Sequence, residues 1–276
     1  MTLAEALALS ATLETSESPR LDAELLLSAV LEQERSYLFT WPERVLTPAQ
    51  IQAYQQLLCR RQAGEPIAYL LGKASFWTLD LEVSSATLIP RPDTETLVEW
   101  VLAHYDARPY RVADLGTGTG AIALALASER PSWSLCASDR IPEALALAQR
   151  NAERLQLTQQ IEFCLGSWCQ ALTGKFDLIL SNPPYIDAED PHLQQGDVRF
   201  EPLSALVAPE QGLADIRELA EQAPEYLRPG GRLLLEHGWQ QAAQVRTLLL
   251  ALGYQEVFSA QDWAGRERIS GGLYAG

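Results

Sequence analysis

Short apolar runs alternate with helical segments over most of the chain, and this alternation restricts the fold more than any other feature. Seven runs that read as buried strands cover residues 110–115, 133–138, 161–165, 176–181, 232–236, 254–260 and 267–274. Helical patterns at 119–130, 142–155, 213–227 and 239–252 separate most of them, with a turn at 229–231. Strands that alternate with helices predict a parallel sheet with helices on both faces. Because no helix separates the last two runs, we expect that pair to be antiparallel.

Residues 1–72 precede this alternation and read as a small helical domain. Thr47 followed by Pro48 is typical of a helix start, and Gly64 indicates the end of that helix. The domain carries no cluster of catalytic residue types, so we expect it to recognise a substrate, although a packing cap explains the pattern equally well. Residues 73–88 alternate apolar and polar side chains, which predicts a β-hairpin linker. Residues 89–276 then form the third region, the expected catalytic domain.

The run 176–181 ends in Asn182-Pro183-Pro184-Tyr185, ahead of a loop-rich insertion at 186–211. Proline lacks the N–H donor that a strand needs, so the two prolines end the strand in a stiff turn. The turn lies at the carboxyl end of a parallel strand, where open α/β sheets bind ligands. The side-chain oxygen of Asn182 and the carbonyl oxygen of Pro183 can both accept hydrogen bonds from one NH2 group, whose flat face Tyr185 can cover. The turn therefore predicts a site for a planar amide or a similar group.

A glycine-rich segment, Gly116-Thr117-Gly118-Thr119-Gly120, joins the first strand of the sheet to a helix. Glycine lets the backbone turn sharply and approach a ligand closely. Nicotinamide dehydrogenases have a similar turn with GxGxxG spacing, whereas the spacing here is GxGxG. Asp114 ends the preceding strand, where its charge would repel a pyrophosphate and attract an ammonium group. The segment thus favours a cofactor other than a dinucleotide.

Asp139 and Trp168 complete a predicted cofactor site. Asp139 ends the second strand, where an acid accepts hydrogen bonds from ribose hydroxyls; a simple helix cap is the structural alternative. Trp168 follows the third strand and can lie on an adenine ring, or it is only a core residue. An acidic strand end, a GxGxG loop, a ribose acid and an aromatic wall together predict S-adenosylmethionine. The reaction is then methyl transfer to the group that Asn182 holds.

Composition restricts the partner and the compartment. The net charge is −15, which argues against a surface built for phosphate backbones and fits a protein partner. The four cysteines form no CxxC pair and the three histidines are scattered, so we expect no metal site and a reducing compartment. The sequence shows neither a signal peptide nor a run long enough to span a bilayer. We therefore expect a cytoplasmic protein.

Four segments carry a resemblance to one family. They are Ile89-Pro90-Arg91-Pro92-Asp93-Thr94-Glu95, Asp114 to Gly120, Ser181-Asn182-Pro183-Pro184-Tyr185-Ile186 and Asp197-Val198-Arg199-Phe200-Glu201-Pro202. With these segments and its helical domain, the chain resembles the peptide chain release factor glutamine N5-methyltransferases from end to end. The Asn-Pro-Pro-Tyr turn alone is shared with enzymes that methylate amino groups of nucleic-acid bases. The chain departs from the commoner family pattern at Ser167, where an aspartate often precedes the tryptophan.

The resemblance implies a fold, a reaction and a substrate. The fold is the seven-stranded, Rossmann-like class I S-adenosylmethionine-dependent methyltransferase fold with a small N-terminal helical domain. The reaction is methyl transfer to the N5 amide nitrogen of the glutamine in the Gly-Gly-Gln motif of class 1 release factors, by a monomer with no nucleic-acid or membrane partner. The cofactor would contact Gly116, Thr117, Gly118, Thr119, Gly120, Asp139, Trp168 and Asn182. Asn182, Pro183 and Tyr185 would be catalytic, and with Pro184 they would hold the glutamine.

Two other functions remain open. An enzyme that methylates an adenine or guanine amino group would use the same turn, but it needs a basic surface and a way to extract the base. A non-catalytic S-adenosylmethionine-binding protein would not need intact Asn182 and Tyr185. His237 has no partner visible in the sequence, so we do not expect it to be a general base. We expect Asp93 or Thr94 to cap the helix that runs to about Tyr105.

Overall fold

The computed structural model describes residues 1–276, which divide into two compact units. The first unit consists of Met1–Lys73 and Pro191–Phe200, and the second of Ala74–Asp190 and Glu201–Gly276. The sequence analysis placed residues 191–200 in an insertion of the larger domain, whereas the structure groups them with the helical segment. None of the helices combines the length and the apolar character that a membrane crossing requires.

Five helices form most of the first unit. They are α1 (Leu3–Ala8), α2 (Pro19–Leu31), α3 (Arg35–Thr40), α4 (Pro48–Gln62) and α5 (Ile67–Leu71). Thr47 caps α4 as predicted, because its Oγ1 accepts from Gln50 N at 3.2 Å while the Gln50 side chain accepts from Thr47 N. The core is a leucine-rich cluster around Tyr54, whose hydroxyl donates to the Ala6 carbonyl. Helix α3 was not anticipated, since it has only six residues and buries only Leu38.

An ion pair and a hydrogen bond hold residues 191–200 within the first unit. The guanidinium of Arg61 donates to Asp22 Oδ2 at 2.7 Å and to Asp197 Oδ1 at 2.8 Å. Arg199 donates to the Ala63 carbonyl at 2.9 Å. The contacts of Asp197 and Arg199 join positions 136 residues apart in sequence, so no local pattern could have indicated them.

The second unit contains the sheet and its covering helices. After the hairpin β1 (Lys73–Phe76) and β2 (Leu79–Glu82), its strands are β3 (Arg111–Leu115), β4 (Ser134–Asp139), β5 (Ile161–Leu165), β6 (Phe176–Ser181), β7 (Leu227–Glu236), β8 (Gln255–Gln261) and β9 (Glu267–Leu273). Its helices are α6 (Glu95–His104), α7 (Ala121–Glu129), α8 (Pro142–Arg154), α9 (Pro209–Gly212), α10 (Ala214–Gln222) and α11 (Ala242–Ala251). The predicted seven strands are confirmed.

The strand order of the sheet is β5-β4-β3-β6-β7-β9-β8. Strands β3 to β7 are parallel. Strand β9 is antiparallel to β8, as predicted, and it is also antiparallel to β7. Residues 229–231 were predicted to form a turn before the strand, but they lie within β7, which begins at Leu227. Leu227 pairs with Phe176, and the register then shifts so that Leu178 pairs with Arg232. Such a bulge accommodates proline and glycine inside a strand.

Both faces of the sheet are buried. Along β6, Leu178 and Leu180 belong to one apolar cluster, and Ile179 belongs to the other. Successive residues of a strand point to opposite faces, so this assignment places one cluster on each face. A continuous apolar run is what a parallel strand covered on both faces requires.

Asn151 on α8 connects the hairpin to the glycine-rich segment. Its Oδ1 accepts from Glu82 N at 2.7 Å, and its Nδ2 donates to the carbonyls of Glu82 (3.0 Å) and Thr119 (2.9 Å). The side chain is fully buried, so no water can replace it.

We predict that Asn151→Ala lowers the free energy of unfolding by about 1–3 kcal/mol, because buried backbone groups of Glu82 and Thr119 lose their partners. Urea denaturation measures the loss. The matched control is Gln149→Ala on the exposed face of α8, which should change stability by less than about 0.5 kcal/mol. Equal losses for the two variants would show that Asn151 makes no special contribution.

Candidate active site

The carboxyl ends of β3, β4 and β6 open into a cleft that contains about 920 Å³ of empty space, part of it open to solvent. The predicted site residues that line it are Gly116, Thr117, Gly118, Thr119, Asp139, Trp168, Asn182 and Pro184. Gly120, Pro183 and Tyr185 do not line it. The structure therefore brings most of the predicted cofactor residues together with the first residue of the predicted acceptor turn.

The glycine-rich segment keeps its shape only with glycine at two positions. Gly116 has φ +70°, and a Cβ added there would lie 3.0 Å from the Trp168 ring. Gly120 has φ +84°, and its Cβ would lie 2.9 Å from Leu124 Cδ1 and 3.2 Å from Ala148 Cβ. Gly116 thus leaves room beside the tryptophan, and Gly120 lets α7 and α8 pack closely behind the loop.

Asp139 fixes the loop from the neighbouring strand. Its Oδ2 accepts from Gly118 N and its Oδ1 from Ile141 N, both at 2.9 Å. Each carboxylate oxygen has a second lone pair, so both can still accept a hydroxyl proton from a ligand in the cleft. Asp139 lines the cleft, whereas α8 begins after Ile141 without a side-chain cap, so the helix-cap alternative is wrong and the ribose contact stays a prediction.

Asp114 has a different role from the one expected. It is fully buried and does not line the cleft. Its Oδ2 accepts from Thr117 Oγ1 at 2.6 Å and from Ala123 N at 3.2 Å, so it holds the loop onto the start of α7. Burial raises the pKa of this carboxyl to about 6. Because Asp114 does not line the cleft, it makes no direct contact with a ligand ammonium group there.

Trp168 lies against the loop with its backbone at φ +44°, an uncommon conformation for a residue with a side chain. The residue is buried, packs in an apolar cluster with Cys169 and Leu172, and also lines the cleft. The preceding Ser167 lines the cleft as well. An aromatic wall and a polar group therefore lie next to each other on this side.

The acceptor turn is anchored at its first residues. Ser181 Oγ donates to the Leu115 carbonyl at 2.7 Å, which ties β6 to β3. Asn182 Nδ2 donates to Thr94 Oγ1 at 3.0 Å. With its NH2 group used in this way, Asn182 presents its Oδ1 as the acceptor for a ligand. Thr94, one of the two residues expected to cap the helix, stands at the N-cap position of α6, but its hydroxyl accepts from Asn182 and makes no cap hydrogen bond.

Tyr185 and Glu236 form a buried pair beside the turn. The Tyr185 hydroxyl donates to Glu236 Oε1 at 3.2 Å. Burial raises the pKa of Glu236 to about 7, against the charge of Arg268, which lowers it. Burial and the charge of Glu236 raise the pKa of Tyr185, so the phenol stays protonated at neutral pH. The Tyr185 carbonyl is held in turn by Gln241 Nε2 at 3.0 Å.

His237 does not face the cleft. It is fully buried, with Nε2 at 2.7 Å from Ser270 Oγ and Nδ1 at 2.9 Å from the Gly238 carbonyl. Burial lowers the pKa of the ring. These contacts account for the residue without a role as general base.

Glu201 connects two of the shared sequence segments. Its carboxylate is buried and accepts from Ile89 N at 3.1 Å and from the guanidinium of Arg91. Arg91 lines the cleft, so Glu201 holds one wall of it. Arg140 closes the same side by donating to the Ser204 carbonyl at 3.2 Å.

The sequence reasoning missed the roles of Thr94, Glu201 and Glu236. Thr94 and Glu201 lie in segments that the resemblance had already identified, and this was the only signal for them. Glu236 was noticed only as the neighbour of His237. Cys136, Glu162 and Cys164 also come together, with possible ligand atoms within 4.8 Å of one another, but none of them lines the cleft. Burial raises the pKa of both thiols.

Two family models match the chain. The model described as the PrmC N-terminal domain matches residues 6–72, and the model described as the methyltransferase small domain matches residues 92–197. The release factor glutamine methyltransferases of Salmonella typhimurium and Escherichia coli are each 54% identical to the chain over 263 residues. Each match covers 95% of this chain and 95% of the relative.

The fold also occurs in solved structures. A crystal structure of a methyltransferase from Pyrococcus furiosus superimposes with a TM-score of 0.54 and 21% identity. The match covers 80% of this chain and 98% of the other. At this identity the likeness confirms the fold, the Rossmann-like methyltransferase architecture that the sequence implied.

Proposed function

Since the chain belongs to the release factor glutamine methyltransferase family, we propose that it methylates the N5 amide nitrogen of the glutamine in the Gly-Gly-Gln motif of class 1 release factors. The observation that carries this proposal is the orientation of Asn182. Its NH2 group is bound to Thr94, which leaves Oδ1 to accept an N–H of the substrate amide. The chain is then a protein-modifying enzyme of translation termination that acts in the cytoplasm as a monomer.

The methyl donor of the proposed reaction is S-adenosylmethionine. The residues of the cleft fit it: Gly116 leaves beside Trp168 the space that a Cβ would fill, and Asp139 keeps free lone pairs for ribose hydroxyls. Trp168 and Ser167 offer an aromatic face and a polar group for the adenine. When bound, this cofactor supplies an electrophilic methyl group on a sulfonium.

The chain's own residues have to orient a weak nucleophile. An amide nitrogen attacks poorly because its lone pair is conjugated with the carbonyl group. Asn182 Oδ1 and the Pro183 carbonyl would accept the two N–H bonds and aim the nitrogen at the methyl group, with Tyr185 against the amide face. Orientation and polarisation of this kind can supply a large part of catalysis. An N-alkylated, protonated amide loses its proton readily, so the absence of a base such as His237 from the cleft is no obstacle.

We further propose that the first unit recognises the body of the release factor. Its surface exposes large apolar side chains close together in sequence: Phe39 (56% exposed), Trp41 (51%) and Val45 (66%). Exposed aromatic residues are typical anchors of protein interfaces. The net charge of −15 supports a protein partner rather than a nucleic acid.

For the cofactor, we predict that Asp139→Ala weakens binding of S-adenosylhomocysteine by about 1–3 kcal/mol, because ribose hydroxyls and Gly118 N lose an acceptor. Calorimetry measures the affinity. Glu143→Ala, which removes a charge from the exposed start of α8, is the control and should leave affinity unchanged. Binding of NAD with none of S-adenosylhomocysteine would overturn the cofactor assignment.

For the acceptor, we predict that Asn182→Ala slows single-turnover methylation of a release factor by a factor that corresponds to about 2–4 kcal/mol, since one fixed acceptor is lost. Mass spectrometry of the tryptic Gly-Gly-Gln peptide identifies the modified glutamine. Glu189→Ala, in the exposed segment after the turn, should behave as wild type. Wild-type rates for Asn182→Ala would remove Asn182 from catalysis, and methylation of a nucleic acid instead of the release factor would replace the proposed function.

For recognition, we predict that Trp41→Ala lowers kcat/KM for the full-length release factor about tenfold, the usual effect of removing an interface aromatic. Activity on a short Gly-Gly-Gln peptide should not change, because the peptide lacks the body of the release factor that the first unit is proposed to bind. Leu250→Ala, which removes an equally exposed apolar side chain (61%) from α11, is the control. Equal effects of Trp41→Ala on protein and peptide would contradict the assignment.

A further inference from the structure

We propose that Trp239, Trp263 and Arg266 form a docking surface, the tryptophan surface, for the peptide segment that carries the substrate glutamine. The inference rests on the proposed function, because the occupant is the glycine-rich segment of the release factor. Trp263 is 87% exposed, the highest value among the large exposed apolar side chains, and Trp239 is 51% exposed. Tryptophan and arginine are the residues that most often anchor protein interfaces.

The order of the strands places the tryptophan surface on the acceptor side of the cleft. The predicted cofactor residues lie at the carboxyl ends of β3 and β4 and just after β5, whereas β6 carries the acceptor turn. On the other side of β6 the sheet continues with β7 and β9. Trp239 follows the carboxyl end of β7, and Trp263 lies just before β9, which runs antiparallel to β7 and so begins at the same edge. A chain bound at the acceptor turn therefore has the cofactor on one side and the tryptophans on the other.

The backbone next to Trp239 packs against the acceptor turn. A Cβ on Gly238 would lie 3.7 Å from Tyr185 Cδ2, so the chain passes directly beside the tyrosine ring. Gln241 Oε1 accepts from Gly238 N at 2.8 Å, and its Nε2 donates to the Tyr185 carbonyl at 3.0 Å. One side chain thus fixes the position of Trp239 relative to the turn.

Hydrogen bonds also fix the hairpin tip, residues 262–266, that carries Trp263. Asp262 Oδ1 accepts from two backbone N–H groups of the tip at 2.9 Å each. Arg268 joins the tip to the start of α6, because it bonds to Asp262 at 3.3 Å and to Asp93 at 2.9 Å. Trp263 Nε1 donates to Glu99 Oε1 of α6 at 3.1 Å. A side chain that is held before binding loses little entropy when a partner arrives.

Arg266 joins the two tryptophans into one surface. Its guanidinium carbon lies 5.5 Å from the centroid of the Trp239 ring, within the range of a cation–π contact. It belongs to the same hairpin tip as Trp263, three positions further along the chain. The tip of the hairpin therefore covers part of Trp239 and presents Trp263 beside it.

A segment with little side-chain bulk fits this surface. The two glycines before the glutamine expose peptide planes and Cα–H groups, which can pack on flat indole rings and make weak hydrogen bonds to them. Tryptophan offers a large contact area at a small cost in side-chain entropy. The distance is also suitable: β6 and β9 are two strand spacings apart, roughly 10 Å, and about five extended residues span roughly 17 Å.

A second copy of the chain and a nucleic acid fit the surface less well. A stable protein interface buries roughly 800 Å² on each partner, whereas two tryptophans offer only about 300–500 Å². Bases of a single-stranded nucleic acid also stack on aromatic rings, but the net charge of −15 opposes binding of a phosphate backbone.

The test measures kcat and KM for two substrates, a full-length release factor and a peptide with about five residues on each side of its Gly-Gly-Gln motif. We expect Trp263→Ala and Trp239→Ala to raise KM about tenfold for both substrates, since an interface anchor is lost. The value of kcat should change less than about twofold, because neither side chain touches the reacting atoms. Calorimetry should show unchanged affinity for S-adenosylhomocysteine. Leu250→Ala, which removes an exposed apolar side chain from α11, should change neither KM nor kcat.

Trp263→Phe distinguishes docking from a structural role of the side chain. Phenylalanine keeps an aromatic face but loses the N–H group that bonds to Glu99. The KM of Trp263→Phe should therefore stay close to the wild-type value for both substrates. If Trp263→Phe is as poor as Trp263→Ala, the residue acts by its bond to α6 and the docking surface is wrong.

The remaining outcomes separate this inference from the proposed function. Wild-type KM values for both alanine variants overturn the tryptophan surface while the proposed function stands. Sedimentation of wild type and Trp263→Ala tests the second copy: a dimer that becomes a monomer in the variant would assign the surface to self-association and overturn the inference. Binding of a single-stranded oligonucleotide that Trp263→Ala abolishes would overturn it as well. If the wild-type protein methylates neither the release factor nor the peptide, the proposed function itself fails.

Discussion

The carboxyl end of β3 is the point on which both halves of the site depend. Leu115 lies opposite Ser138 of β4 on one side and opposite Ser181 of β6 on the other. Strand β3 ends at Leu115 and β6 at Ser181, so Gly116 and Asn182 leave the sheet at the same level, next to Asp139, the last residue of β4. All three residues line the cleft. A shift of β6 by one residue would turn its side chains to the opposite faces and move Asn182 away from the glycine-rich segment.

Buried carboxylates hold this arrangement at a cost in desolvation. Asp114 joins the loop to α7, Glu201 holds the wall that contains Arg91, and Glu236 holds Tyr185. A buried charge destabilises a fold unless it is paired or hydrogen-bonded. The raised pKa values of Asp114 and Glu236 are the sign of that cost. These buried carboxylates are unfavourable for an apolar core, but they lie where backbone turns and cleft walls have to be held in place.

The sequence was sufficient for features that depend on neighbouring residues. The seven strands follow from short apolar runs, and the cofactor loop and acceptor turn follow from glycine and proline, whose backbone limits are local. It was not sufficient for contacts between distant segments. The bond from Asn182 to Thr94 spans 88 residues, and the one from Ile89 to Glu201 spans 112. Thr94 stands at the N-cap position of α6 as expected, but its hydroxyl bonds to the distant Asn182 instead of capping the helix, which only the folded chain shows.

The acceptor turn is held from several sides before any ligand arrives, and this bears on how the site works. Ser181 is bonded to Leu115, Tyr185 is held at its hydroxyl and its carbonyl, and Asn182 is held at its NH2 group. A Cβ on Gly212 would lie 2.0 Å from the Tyr185 carbonyl oxygen, so the end of α9 packs directly against the turn. A site that relied on a strong base would need a titratable group in the cleft near the acceptor. Glu236 does not line the cleft and holds the turn through the hydroxyl of Tyr185. Hydrogen-bond acceptors in fixed positions contribute most when the nucleophile is weak and its direction of attack has to be imposed, as for an amide nitrogen.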